Sequence, residues 1–204
     1  MPVNTMNKQP RHFFSLHELL VMAALAALGG VSSSLVSIVG RVVHAAVGVP
    51  GGMQILAGLH VLWLILAVGL IRKPGAATAT GILKGGVELL SGNPHGVLVL
   101  FYSALGGLSV DAVWLLLRRR TNAWTYMLAG GAGSASNVLI HKIVASLPGH
   151  GGVTAILVAM GVVAFASGAV LAGLLGYRLL ETLHRAGVVG PQASNAIGPP
   201  SPPR

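Results

Sequence analysis

Gly81, Lys84, Glu88 and Ser91 follow one another at i, i+3, i+7 and i+10, a spacing that sets an ammonium and a carboxylate on one face of a helix. Two further stretches carry comparable stripes: Tyr102, Gly106 and Ser109 in one, Gly130, Ser134, Asn137 and His141 in the other. Gln54 and His60 add polar groups to a fourth. Together these supply hydrogen-bond donors and acceptors, one acid, one base and a ring, which is the equipment of a small-molecule site. Lys84 and Glu88 also satisfy the i,i+4 rule and would neutralise each other without any ligand. Nothing in the spacing decides between those two readings.

The elements that carry these groups are set by composition. Of 204 residues, 53% are hydrophobic and 8% charged, with a mean hydropathy of +0.78. Soluble domains carry about 25% charged residues, so a water-surrounded globule is excluded, and disorder with it. Thirteen basic against four acidic residues give a net charge of +9, but the basic residues lie between apolar runs, a poor match to a nucleic-acid patch. With no cysteine there is no disulfide framework or thiolate chemistry.

A bilayer core needs about 20 apolar residues per helical span. Six stretches qualify: residues 16–40, 52–71, 75–92, 96–117, 122–146 and 153–180. The expected fold is therefore all-α, a polytopic integral membrane protein of six transmembrane helices. It forms a single membrane domain over residues 1–186, followed by a disordered proline-rich tail over 187–204. Six spans put both termini on one side. Ten of the thirteen basic residues then fall on that side (Lys8, Arg11, Arg72, Lys73, Arg118, Arg119, Arg120, Arg178, Arg185 and Arg204), and only Arg41 on the other. The positive-inside rule makes the termini cytoplasmic. A secretory leader within residues 1–30 is the competing reading of the first span.

Depth follows from this topology. Gln54, Glu88, Asn93, His95, Tyr102, Asn137 and His141 all fall in the outer half, forming a pocket open to the outside with Tyr102 or Trp63 available to stack on a ligand ring. The outer connection, residues 41–51 with Arg41 and His44, is a gate or a plain connector. Ser15 and Glu18 read as a capping box. Asp111 reads as a structural ion partner near Trp114 and Arg118. Ala164, Gly168, Ala172 and Gly176 form an i+4 ladder of small residues, as Ala23 and Ala27 do on the first span, extended by Ala26 and Gly30. Such faces pack helices within the chain or dock another membrane subunit.

Other chemistries find little support. No G-x-x-x-x-G-K-[ST] run occurs, so the chain does not split ATP through a P-loop. Glu88 with His95 or His141 would suit acid–base work or a metal in a small intramembrane enzyme, but the spacing matches no template. With four acids there is little machinery for ion coupling, so transport would draw its energy from a partner.

Three runs together resemble a known family. They are Ile71-Arg72-Lys73-Pro74-Gly75-Ala76-Ala77, then Val87-Glu88-Leu89-Leu90-Ser91-Gly92-Asn93-Pro94, then Gly107-Leu108-Ser109-Val110-Asp111-Ala112-Val113. The chain resembles the substrate-binding (S) components of energy-coupling factor (ECF) vitamin transporters over roughly residues 50–180, and is most similar to their hydroxymethylpyrimidine/thiamine permease (YkoE-like) group. The resemblance implies a six-helix membrane protein of the prokaryotic cell membrane, not an enzyme and without a cofactor. It would take thiamine, hydroxymethylpyrimidine or another small vitamin from outside, and work with a transmembrane T component and two cytoplasmic ATPases. Glu88 and Asn93 match the family's acid and amide at the outer end of the third helix, and Ala23 and Ala27 its T-component contact. Gln54 departs from an expected acid, and Lys84 has no expected counterpart. Glu88, Asn93, Gln54, Tyr102, Asn137, His141, His60, Trp63 and Lys84 are the expected ligand-binding residues, with no metal site.

Overall fold

A computed structural model describes residues 13–48, 52–93, 96–144 and 151–187. Within these limits every regular element is a helix. They are α1 (Leu16–Val47), a 3₁₀ turn (Gly52–Leu56), α2 (Ala57–Ile71), α3 (Ala76–Leu90), α4 (Leu98–Leu116), α5 (Ala123–Val144), α6 (Gly151–Ser167), a π segment (Gly168–Leu174) and α7 (Leu175–Arg185). The last three follow without a break, giving six rods among the described residues. Four stretches are long and apolar enough to cross a membrane: Leu16–Ala46, Met53–Ile71, Leu98–Leu116 and Thr154–Arg185.

Local chemistry explains the ends of these rods. Ser15 and Glu18 form the expected capping box, each side chain bonding the other's backbone N–H, and Glu18 also pairs with Lys73 at 2.7 Å. The first helix does not stop at residue 40. Gly40 is tolerated inside it, and no breaker follows until Gly48, which takes φ 66° and returns its N–H to the His44 carbonyl. Arg41 and His44 therefore ride on α1, and a gating loop beginning at residue 41 is ruled out. Residues 49–51 lie outside the described residues, as do residues 188–204 of the expected tail.

Asp111 corrects a second expectation. Among the described residues it pairs with no cation, but it receives hydrogen bonds from the backbone N–H groups of Ala77 (3.3 Å) and Thr78 (2.8 Å) and from the Thr78 hydroxyl (2.6 Å). Gly75, at the N-cap of α3, has no side chain to do this. A carboxylate from α4 thus caps α3, meeting exposed N–H dipoles with negative charge.

α2 is apolar on every side because it is central, and Val61, Leu64, Ile65, Ala67 and Val68 are at most 2% exposed. The other rods meet through glycines. A Cβ at Gly81 would lie 2.4 Å from the Ser103 carbonyl oxygen, and one at Gly107 2.5 Å from that of Ala77, so α3 and α4 touch backbone to backbone. A Cβ at Gly168 would lie 2.3 Å from the Gly130 carbonyl oxygen, and one at Gly173 the same distance from Met127 Cα. The π segment sits against α5 at these contacts. Ala164, Gly168, Ala172 and Gly176 are all buried, so that ladder packs the chain against itself. On α1 the small residues divide: Ala26 and Gly30 face inward, Gly30 against Val87, while Ala23 and Ala27 are exposed.

Candidate functional site

One end of the bundle holds the α1 N-terminus, the end of α2 and the start of α3; the other, far end is hollow. The C-terminal half of α1, the 3₁₀ turn, the first turns of α2, the last of α3, the first of α4 and a part of α5 surround a cavity of about 330 Å³. That volume is in the range of pockets for small organic ligands.

Its polar wall assembles from separate elements. Lys84 and Glu88, each 2% exposed, come from α3 and form an ion pair in which the ammonium donates to the carboxylate. An isolated charge at this depth would be costly, so each is the condition for the other. Asn93, 7% exposed, follows where the chain turns back over the end of α3, its N–H bonded to the Glu88 carbonyl. Gln54 comes from the 3₁₀ turn, His60 from α2, Tyr102 and Ser103 from α4, and Asn137 from α5. Asn137 Oδ1 is buried without a hydrogen-bond partner. Gly106 keeps the space before it open, since a Cβ there would stand 3.9 Å from that oxygen. An unmet acceptor in a cavity is a demand for a donor.

Seven of the nine residues expected to bind ligand line this one cavity: Glu88, Asn93, Gln54, Tyr102, Asn137, His60 and Lys84. Trp63 is not among them. Its ring fills the notch left by Gly29 on α1, where a Cβ would meet Trp63 Cγ at 2.8 Å, so its role is packing. Among the described residues Tyr102 brings the one phenolic ring to the wall, beside the imidazoles of His44 and His60. His141 belongs to α5, but its side chain lies outside the described residues, as does His95 altogether. Of the other stripe members, Gly81, Gly130 and Ser134 are buried between helices and Ser91 is exposed.

Sequence reasoning missed the contribution of α1. Ser37, Gly40 and His44 line the cavity, continuing a stripe from Ser33 at i, i+4, i+7 and i+11. The same spacing test applied to the first helix would have found it. Met53 and Met160 add flexible apolar wall that no pattern marks. Among the described residues no three His, Cys, Asp or Glu side chains gather where they could hold a metal.

Comparison with known proteins places this geometry. A family model described as the permease component of an ABC-type cobalt transport system matches residues 17–136. The YkoE protein of Bacillus subtilis (strain 168), named as a candidate HMP/thiamine permease, is 30% identical over 185 residues, covering 88% of this chain and 89% of that one. The crystal structure of an S component of an ECF transporter superposes with a TM-score of 0.79 at 29% identity, covering 90% of this chain and 92% of the other.

The chain belongs to the S components of ECF transporters. As an S component it is a multi-pass membrane protein and a transporter part, not an enzyme. That removes the intramembrane-enzyme reading of Glu88. The cavity of this S component has the makings of a binding site, with buried charge internally balanced, amides and hydroxyls around it, and the rings of Tyr102, His60 and His44.

Proposed function

We propose that this S component captures hydroxymethylpyrimidine or thiamine from outside the cell in its far-end cavity and hands it inward with the help of partner subunits. The observation that carries the reading is the unpartnered Asn137 Oδ1 lining the same cavity as Glu88 and Asn93. An aminopyrimidine offers an amino donor beside ring-nitrogen acceptors, and amide and carboxylate groups can read that edge through paired hydrogen bonds. Tyr102 supplies the stacking face, while Gln54, His60 and Lys84 complete the polar wall. We also count His141, one turn after Asn137 in the sequence, among the proposed ligand contacts. The name of the Bacillus subtilis relative supports the ligand class.

Charge favours the neutral precursor. Lys84 offsets Glu88 within the wall, so the cavity offers little net attraction to the thiazolium cation of thiamine. Hydroxymethylpyrimidine, which carries no such charge, is the expected tighter ligand.

In the membrane, we read six spans with both termini in the cytoplasm of a prokaryotic cell, which opens the cavity outward. The ten-to-one sorting of basic residues supports this orientation, and the unbroken packing of all rods around α2 supports one domain. Ala23 and Ala27, exposed on α1, suit docking of a transmembrane T component, with two cytoplasmic ATPases supplying the energy.

The decisive experiment is thermal unfolding of the purified protein in detergent with hydroxymethylpyrimidine, thiamine and unrelated vitamins. A ligand that binds only the folded state raises the midpoint in proportion to its affinity. Hydroxymethylpyrimidine should give the largest shift. No shift with either pyrimidine, and a shift with another vitamin, would reassign the ligand.

A further inference from the structure

Four glycines among the described residues sit inside helices where neither packing nor backbone conformation asks for a bare Cα. Gly40, Gly86, Gly106 and Gly161 have no left-handed φ, and a Cβ on any of them would meet nothing closer than 3.6 Å. At Gly81, Gly107 and Gly168, by contrast, a Cβ would come within 2.5 Å of a neighbouring carbonyl oxygen. Glycine weakens a helix relative to alanine, so a glycine free of such contacts calls for another reason.

Their surroundings divide the four. Gly86 and Gly161 are half-buried and lie off the cavity, whereas Gly40 and Gly106 are buried and line it. A buried glycine whose Cβ would meet open space points into a hollow rather than at a neighbour. At Gly40, on α1, there is nothing within 4 Å. At Gly106, on α4, a methyl group would rest at ordinary contact distance, 3.6 Å from the Gly133 carbonyl oxygen and 3.9 Å from the unpartnered Asn137 Oδ1. It would fit the protein, yet stand where a donor to that oxygen must come.

The two positions belong to different walls. α1 packs chiefly on α3, α2 and the 3₁₀ turn, and α4 on α3 and α5. Each missing methyl group therefore adds room to one hollow from a separate side. Resting on the reading of this cavity as the vitamin site, we propose that Gly40 and Gly106 are its specificity-determining positions, which set the largest ligand the cavity admits. A bulkier occupant fills more of a fixed volume and is penalised more by overpacking. Thiamine joins its pyrimidine to a thiazolium ring, whereas hydroxymethylpyrimidine is a single ring, so thiamine depends more on both glycines.

Calorimetric titration of the purified full chain with thiamine and hydroxymethylpyrimidine, alongside unfolding midpoints without ligand, tests this. Gly40→Ala and Gly106→Ala should keep or raise the ligand-free midpoint. Each should weaken thiamine binding at least ten-fold and lower the ratio of thiamine to hydroxymethylpyrimidine affinity at least three-fold. Gly161→Ala, equally free of contacts but off the cavity, should leave that ratio unchanged. A fall in the ligand-free midpoint of both cavity variants would overturn the proposal in favour of packing, and an unchanged ratio in both would overturn it outright. A second measurement needs no ligand. The chain has no cysteine, so Gly106→Cys carries a single thiol, which a small water-soluble methanethiosulfonate should modify. Adding Gly40→Leu should slow that reaction at least five-fold, and an equal rate would overturn the shared hollow. Slowed modification, together with no binding of either pyrimidine by the parent protein, would overturn the ligand reading alone and uphold the role of the glycines.

Discussion

Lys84 donates a hydrogen bond to Glu88 from one helical turn earlier, and both are 2% exposed on the wall of the far-end cavity. Separating them therefore changes folding and binding together. Glu88→Gln leaves a buried ammonium without its counter-charge, a loss on the order of 3–5 kcal/mol, and should lower the unfolding midpoint as well as ligand affinity. The double variant Lys84→Met/Glu88→Leu should recover most of the stability but not the ligand-dependent shift. Recovery of both in a thermal assay with and without hydroxymethylpyrimidine would remove the pair from the binding site.

Asp111 and Thr78 should behave as a purely structural pair. Asp111→Ala strands the Ala77 and Thr78 N–H groups and the Thr78 hydroxyl, and is expected to cost about 2–3 kcal/mol. Asp111→Asn, which keeps one acceptor oxygen, should cost less. Because Asp111 lies at the end of the bundle away from the cavity, ligand affinity measured below the unfolding transition should change little in either.

Glycine seams give a sharp contrast. Gly168→Ala would drive a methyl group to 2.3 Å from the Gly130 carbonyl oxygen, whereas a Cβ at Gly161 meets nothing within 4 Å. The first should abolish accumulation of folded protein in the membrane. The second should leave folding unchanged or stabilise it by up to about 1 kcal/mol, the helix preference for alanine over glycine. Size-exclusion profiles of the two purified variants would distinguish them.

Ala23 and Ala27 test the partner reading. Both are exposed, so Ala27→Trp should leave ligand-dependent stabilisation intact. Uptake of labelled hydroxymethylpyrimidine by cells that also express the T component and ATPases should fall to background. Normal uptake would move the docking face elsewhere.

Much of the helical framework was legible because apolar runs bounded by Arg-Lys-Pro or Arg-Arg-Arg have few other solutions. The convergence of Gln54, Lys84, Glu88, Asn93, Tyr102 and Asn137 on one cavity was legible from the i+3/i+4 spacing combined with span polarity. Three things were not. The extent of α1 was hidden by Gly40 and Arg41, which look like an ending but lack the left-handed turn that Gly48 provides. Asp111 looked like an ion partner because nearby arginines are visible in sequence, whereas the bare start of α3 that it caps is visible only in space. Trp63 looked available for stacking because nothing in a sequence says that Gly29, 34 residues away, leaves a notch of matching shape.

The seams where carbonyl oxygens of one rod lie against the glycines of the next carry a mechanical consequence. Long side chains at an interface can re-pack and let two helices slide; bare backbone offers nothing to re-pack, and such surfaces switch between discrete arrangements rather than yield gradually. A vessel with staves joined so rigidly would be emptied by tipping it over, and whatever grips its outer wall must supply the torque.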